Sequence, residues 1–465
     1  MPEQNQKGLN ISTRSFITAI VVIFVLMVAS YILTLVVPGG QYARIPDNDG
    51  NMILDTQAGF INVDGGIPFW KWALSPFLAL TVSGGGTLIA VIAFLLVIGG
   101  VFTALDRCGL MKYMLNKTAS RFGAVRYRLL AVVTAMFMAM GAMIGSFEEC
   151  VPLVPICVAL AVNLGWDKLT GIGMSLLAVG CGFASGVCNP FTVGVAQQLA
   201  GLPMFSGVWM RLVSFGLIYS LLFGFLYLHA KKVQTVPVTN GTEFIADQKL
   251  DRGLVCFVGI VGVGIIAVLC SGFIKALQDY TMIIVAVMFL VAGITATLVS
   301  GMSGKVLGKS FLSGVAQMLP AVLMILMASS IRYTLEEAKV LDTLLHSAVG
   351  LAQTLPKWAV VEFIYLLVLA INFFIPSGSA KAFMMIPLIV PMAQVFGISA
   401  QLCILAFAFG DGFSYVFYPT NPALLIGLGL ADVNYSDWFK WSGKFQLLNL
   451  LLTSGLLLLA LVVGY

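Results

Sequence analysis

The chain has 465 residues, 60% of them hydrophobic and only 10% charged, with a formal net charge of +5. An ordinary soluble domain carries about a quarter charged residues, so this composition excludes a water-soluble fold and fits roughly ten membrane elements of about 20 residues each. The small positive balance sits in loops, where it bears on topology and gives no case for a nucleic-acid partner, and the eight cysteines form no CxxC pair and read as small core residues.

A first span is predicted from about Phe16 to Val37, stopping at Pro38-Gly39-Gly40. Its apolar run lacks a small-residue cleavage site, so no cleavable signal is expected. A polar segment follows with Asp47, Asp49, Asp55 and Asp64, and Phe69, Trp70 and Trp72 suggest an interfacial helix beyond it. The second span covers 84–105. After it comes a basic stretch holding Arg107, Lys112, Lys117, Arg121, Arg126 and Arg128. Basic loops stay in the cytoplasm, which places the N-terminus inside and the Asp-rich segment outside. Leu110, Met111, Met114 and Leu115 are spaced like one face of a helix lying on the membrane.

Residues 129–165 form an apolar block too long for one span and too short for two, broken at Gly145-Ser146-Phe147-Glu148-Glu149. The pattern predicts a re-entrant hairpin with that segment as its tip. The next run, 169–200, is interrupted by Asn189-Pro190-Phe191-Thr192. Proline removes a backbone donor and breaks the helix, and a break at membrane depth must face protein or a water-filled cavity. A span from about Val208 to Leu228 ends at His229, Lys231 and Lys232, and a polar linker reaches Arg252. Spans at 254–273, 281–298 and 314–331 lead to Glu336, Glu337, Lys339 and Asp342. A second hairpin, 360–397, has its tip at Pro376-Ser377-Gly378-Ser379-Ala380-Lys381. A second interrupted helix, 402–430, breaks at Tyr418-Pro419-Thr420-Asn421-Pro422, and the last span is 445–463. The expected organisation is an N-terminal span with an external segment (1–83), a first repeat (84–230), a cytoplasmic linker (231–253), connecting spans (254–312) and a second repeat (313–465).

One ungapped shift of 232 (387 − 155) aligns Pro155 with Pro387, Gly165 with Gly397, Asn189 with Asn421, Pro190 with Pro422 and Trp209 with Trp441. Counting spans, the first hairpin opens from inside and the second from outside. The fold expected is an all-α membrane protein of two inverted repeats, each with a re-entrant hairpin and a broken transmembrane helix. Many secondary transporters share this symmetry, with a site near the midplane.

The site residues follow from that arrangement. Broken helices expose N–H groups that suit carboxylates and carbonyls that suit cations. Asn189, Thr192, Thr420 and Asn421 at the breaks and Ser146, Ser377 and Ser379 at the tips add neutral donors and acceptors. Glu148 and Glu149 stand out, because carboxylates within a membrane are costly and by default functional. Their shifted counterparts are Ala380 and Lys381, so the tips differ in charge, and Lys381 is expected to bind a carboxylate or to pair with a Glu across the site. Asp411, between Gly410 and Gly412, is the candidate for proton or sodium coupling, with Glu148, Asn189 and Asn421 as further coupling-ion contacts. Arg332, at a span end, is read as an interface anchor. His229 and His346 also sit at span ends and imply no proton relay. No Walker motif, HExxH or Gly-x-Ser-x-Gly elbow occurs, so neither an enzyme nor a nucleotide-driven pump is expected. No cofactor is expected either, and no metal beyond a coupling sodium.

Gly145-Ser146-Phe147-Glu148-Glu149 with Pro152-Leu153-Val154-Pro155, and Asn189-Pro190-Phe191-Thr192-Val193-Gly194 with Gln197 and Gly201, resemble the YfcC-like branch of the anaerobic four-carbon-dicarboxylate carrier family. The resemblance implies membership in the ion-transporter superfamily, whose members have two inverted repeats and are commonly dimers with a moving transport domain. It implies a homodimer in the cell membrane, in bacteria the inner membrane. The family name suggests dicarboxylates, whereas members of this branch are assigned to basic amino acids. The leading expectation is a secondary transporter of an amino acid, with a basic one such as arginine or ornithine foremost, by exchange or ion-coupled uptake with alternating access. The alternative is a sodium- or proton-coupled dicarboxylate carrier, and an intramembrane enzyme is a remote third.

Overall fold

A computed structural model describes residues 13–46, 52–54, 59–82, 85–114, 117, 125–143, 145, 147–203, 205–235, 246–273 and 281–465. Among these, seven helices are long and apolar enough to cross a membrane. Helix α1 is Thr13–Val36, α2 is Phe69–Leu78 and α3 is Gly85–Arg107. The chain then enters a helical hairpin, α4 (Arg126–Met143) and α5 (Val154–Asn163), whose tip includes a 3₁₀ turn at Glu148–Leu153. The first broken helix follows. Its leading half is α6 (Lys168–Ile172), a π turn at Gly173–Leu177, and α7 (Ala178–Ser185). Its trailing half is a π turn at Pro190–Gly194 and α8 (Val195–Leu199). Helix α9 spans Val208–Val233, α10 Gln248–Phe273, α11 Thr281–Val299, α12 Gly304–Glu337 and α13 Val340–Ala352. A second hairpin, α14 (Lys357–Asn372) and α15 (Gly378–Val395), precedes the second broken helix, α16 (Ala400–Tyr415) and α17 (Pro422–Leu430), and α18 (Tyr435–Val462) closes the chain.

Two differences from the sequence reading stand out. The polar segment after α1 contains four three-residue strands, β1 (Gly40–Tyr42), β2 (Arg44–Pro46), β3 (Met52–Leu54) and β4 (Phe60–Asn62). They pair antiparallel as β1 with β4 and β2 with β3. Strands this short carry no readable alternation, and α13 holds them in place from far along the chain. Tyr42 N donates to Asp342 Oδ2 at 3.1 Å, Arg44 Nη2 bridges both Asp342 oxygens at 3.0 Å, and Tyr42 Oη lies 2.8 Å from His346 Nδ1. The third span of the second half is also longer than the expected 314–331, because polar Lys305 and Lys309 at one end and Arg332 to Glu337 at the other continue the same helix.

Small residues set the closest contacts. A Cβ on Gly182 would sit 1.8 Å from Met138 O, and one on Gly141 2.2 Å from Val179 O. The α4 and α7 backbones touch, as small residues in membrane helices allow. The broken helices cross in the same way. A Cβ on Gly412 would meet Ala184 N at 2.1 Å, and one on Gly180 would meet Val416 Cγ1 at 2.5 Å. Under the shift of 232, Gly180 becomes Gly412 and Ala184 becomes Val416, so this contact maps onto itself, as contacts across a two-fold axis do.

Caps recur at the same offset. Asp167 Oδ1 accepts from Thr170 N at 2.9 Å at the start of α6, and Ser399 Oγ accepts from Leu402 N at 3.1 Å at the start of α16. Gly165 and Gly397, both at positive φ, end their preceding helices with the same pair of backbone bonds. The base of the first hairpin and the start of the helix that follows the second hairpin tie to opposite ends of α9. Arg126 Nη2, at the start of α4, donates to Gln234 Oε1 at 2.8 Å just past the end of α9. Gln401 Nε2, in the first turn of α16 just beyond the second hairpin, donates to Ser206 Oγ at 2.5 Å just before the start of α9. Beside the first of these, Asp167 also accepts from His229 Nε2 at 2.9 Å, and Trp441 Nε1 donates to His229 Nδ1 at 3.1 Å. Burial raises the Asp167 pKa, yet the bonds from His229 and Thr170 outweigh it and hold the carboxyl below its usual range.

Candidate functional site

The site lies where both hairpin tips meet both helix breaks. A break frees the last carbonyls of the leading half-helix, and in lipid each needs a donor. At the second break α18 supplies them. Trp438 Nε1 donates to Val416 O at 2.8 Å, Tyr435 Oη to Phe417 O at 2.9 Å and Gln446 Nε2 to Phe413 O at 3.1 Å. Fully buried Arg211 of α9 reaches Val187 O at the first break, as well as Phe205 O and Ser206 O. The trailing halves are capped by their asparagines. Asn421 Oδ1 accepts from Ala423 N at 2.9 Å and Leu424 N at 3.4 Å, and Asn189 Oδ1 accepts from Thr192 N at 3.3 Å.

Each tip packs on the breaks at close range. Gly145, at φ +76°, lies so near Asn189 that a Cβ would be 2.3 Å from Oδ1. Phe147 stacks on Tyr415 of α16 with centroids 5.5 Å apart. At the other tip a Cβ on Gly378 would be 2.3 Å from Thr192 Cγ2 and 2.6 Å from Asp411 Oδ2. Tip one therefore touches both broken helices, and so does tip two.

A cavity of about 970 Å³ opens from this meeting point. Gly145, Phe147, Glu148, Thr192, Ser377, Ser379, Tyr415, Thr420 and Asn421 line the part beside the tips and breaks, and Arg44, Arg332, Glu336, Lys339 and Asp342 line the part toward β1, β2 and α13. The buried hydroxyls of Thr192 and Thr420 have no hydrogen-bond partner among the described residues. Of the residues singled out in the sequence, Glu148, Asn189, Thr192, Ser377, Ser379, Thr420 and Asn421 are thus at or beside one cavity. Ser146 and the side chain of Glu149 lie outside the described residues.

The charges sort into pairs. Lys381 does not face Glu148. Its Nζ is 2.5 Å from Asp411 Oδ1 and 3.0 Å from Ile375 O, bonds Asn372 Oδ1, and lies 5.1 Å from the Tyr415 ring centroid. Lys381 and Asp411 are both fully buried. Asn372 Nδ2 in turn donates to Asp411 O at 2.9 Å and to Ser414. Toward the mouth, Arg332 Nε pairs with Glu336 at 2.7 Å and Arg44 with Asp342 at 3.0 Å. Arg332 therefore lines the cavity instead of serving only as an interface anchor. Glu148 has no ion pair with any described Lys, Arg or His. Sequence reasoning missed Asn372, Ser414 and Tyr415. A visible signal for Asn372 is its place in an otherwise apolar run four residues before the tip.

The family model of the C4-dicarboxylate anaerobic carrier matches residues 16–463. The chain belongs to this carrier family. Like the family, it is a multi-pass membrane transporter. Among curated proteins, this carrier is 31% identical over 422 residues to the "Putative basic amino acid antiporter YfcC" of Escherichia coli strain K12, covering 84% of this chain and 81% of that protein. Among solved structures, it superposes on the YdaH transporter of Alcanivorax borkumensis with a TM-score of 0.44 and 17% identity, covering 97% of this chain and 99% of the other. It superposes on MtrF of Neisseria gonorrhoeae, described as illuminating a class of antimetabolite efflux pumps, with a TM-score of 0.46 and 14% identity, covering 94% of both chains.

Proposed function

We propose that this carrier moves a cationic amino acid, of the arginine or ornithine type, by alternating access across the bacterial inner membrane. The observation that carries the reading is the carboxylate of Glu148 where the cavity meets the tips and breaks. Lys381 pairs with Asp411, Arg332 with Glu336 and Arg44 with Asp342. Lys339 lines the cavity toward α13, and beside the tips and breaks Glu148 faces the cavity with no ion-pair partner among the described residues. A guanidinium or ammonium group on the solute would supply that partner. The solute's α-carboxylate has a place beside the α15 start, a helix N-terminus where Ser377 makes no side-chain cap bond. A dicarboxylate would meet Glu148 with like charge and would find Lys381 already engaged. The name of the Escherichia coli relative agrees with a basic amino acid and with exchange.

With the N-terminus in the cytoplasm, the end of α1 and the β1–β4 cap lie outside. The cavity then opens outward, and the hairpins, the first tied by its base and the second through the start of α16 to opposite ends of α9, enter from opposite sides as inverted repeats. The self-mapping Gly180–Val416 and Gly412–Ala184 contact supports that arrangement.

The test is Glu148→Gln, with binding of arginine, a neutral amino acid and succinate measured on purified protein over a sodium and pH series. Selective loss of arginine, by roughly tenfold or more for a hydrogen-bonded charge pair worth about 1.5–3 kcal/mol, is the expected result. Unchanged arginine binding, or loss of sodium or proton dependence alone, would transfer Glu148 to a coupling ion.

A further inference from the structure

The second tip holds a lysine where electrostatics disfavours one. Lys381 sits in the first turn of α15, with its N–H bonded to Ser377 O. A cation at that end opposes the helix dipole, and a fully buried ammonium is expensive in a membrane. The side chain turns back past its own tip, and its nitrogen comes to rest among oxygens. These are the Asp411 carboxylate at 2.5 Å, the Ile375 carbonyl at 3.0 Å and the Asn372 amide oxygen. One carboxylate with two neutral oxygens, one of them a carbonyl just past a helix end, is the donor set a hard monovalent cation takes in proteins. Gly378 lets Asp411 approach, since a Cβ there would be 2.6 Å from Oδ2. In the first repeat the positions 232 earlier are Met140 for Asn372 and Val179 for Asp411, so the pocket exists on one side only.

We infer that the Lys381 ammonium is a tethered substitute for a free alkali cation, filling a cation pocket between the second tip and the second broken helix. The pocket is therefore closed to sodium in the native protein, and tip two is held to α16 without an ion. This holds whichever solute the cavity takes.

The experiment measures thermal unfolding of purified wild type, Lys381→Ala and Lys381→Ala/Asp411→Asn in choline chloride, in sodium chloride and in methylammonium chloride. Alanine clears the space of the ammonium and leaves the oxygens. The single variant should melt lower than wild type in choline and recover with saturable dependence on sodium or methylammonium. The double variant, lacking the carboxylate, should show no such recovery. The response is read as the gain of the single variant over wild type. The inference is overturned if the single variant gains no sodium or methylammonium response, if the double variant keeps the gained response, or if the single variant cannot be recovered folded even when purified in sodium.

Discussion

Asn189 and Asn421 each stand before a proline, at the start of a trailing half-helix, and spend their Oδ1 on the N–H groups that the break exposes. Their backbone role and their place at the cavity are one arrangement, because the capped turn is also the cavity wall. Replacing either with alanine removes the cap and is expected to lower stability by about 0.5–2 kcal/mol. Transport should fall more steeply than expression, because the Thr192 and Thr420 hydroxyls beside the caps move with them. Uptake normalised to folded protein checks this, and wild-type rates from both variants would make the asparagines incidental. These residues were legible, because an Asn-Pro pair inside an apolar run marks a helix that stops and restarts under an asparagine cap. The partner of Lys381 was not. Asp411 lies 30 positions on (411 − 381) and on another element, and no local period records such a pairing. Arg332 was hidden for a related reason. Its helix outlasts the apolar run, so a residue that reads as the end of a span faces the cavity before the helix stops.

Between elements, the crossing of α7 and α16 brings the two broken helices into backbone contact. The two glycines there are related by the 232 shift but meet different obstacles. Gly412 faces the backbone nitrogen of Ala184, which cannot move independently, whereas Gly180 faces the end of a valine side chain. Gly412→Ala should therefore destabilise by about 1–3 kcal/mol through overpacking, and Gly180→Ala by less. Thermal unfolding of the two variants side by side tests the order, and a reversed order would mean that the crossing is not where the broken helices are pinned. The hairpins and breaks could be anticipated because glycine and proline punctuate them. The β1–β4 cap could not, because its strands are three residues long and their anchors, Asp342 and His346, lie some 300 residues away.

At the scale of the molecule, the first hairpin's base and the start of α16, just beyond the second hairpin, bind opposite ends of α9, a helix of 26 residues and about 39 Å. If α9 crosses the membrane, the two hairpins enter from opposite faces. Cysteine-accessibility labelling in cells should find the Lys117 to Arg128 stretch on the cytoplasmic side and the Glu336 to Lys357 stretch outside. Both on one side would remove the inversion. The constant offset was readable in the sequence, whereas the inversion rested on counting spans and is what this labelling tests.

The central claim, a transporter whose Glu148, without an ion-pair partner among the described residues, selects a positively charged solute, is tested most directly by counterflow in proteoliposomes. Vesicles loaded with unlabelled arginine take up labelled arginine while arginine, ornithine, a neutral amino acid or succinate is added outside. The account requires uptake that arginine and ornithine suppress, that the neutral amino acid suppresses weakly, and that succinate leaves unchanged. Absence of arginine counterflow in vesicles that exchange succinate would contradict it.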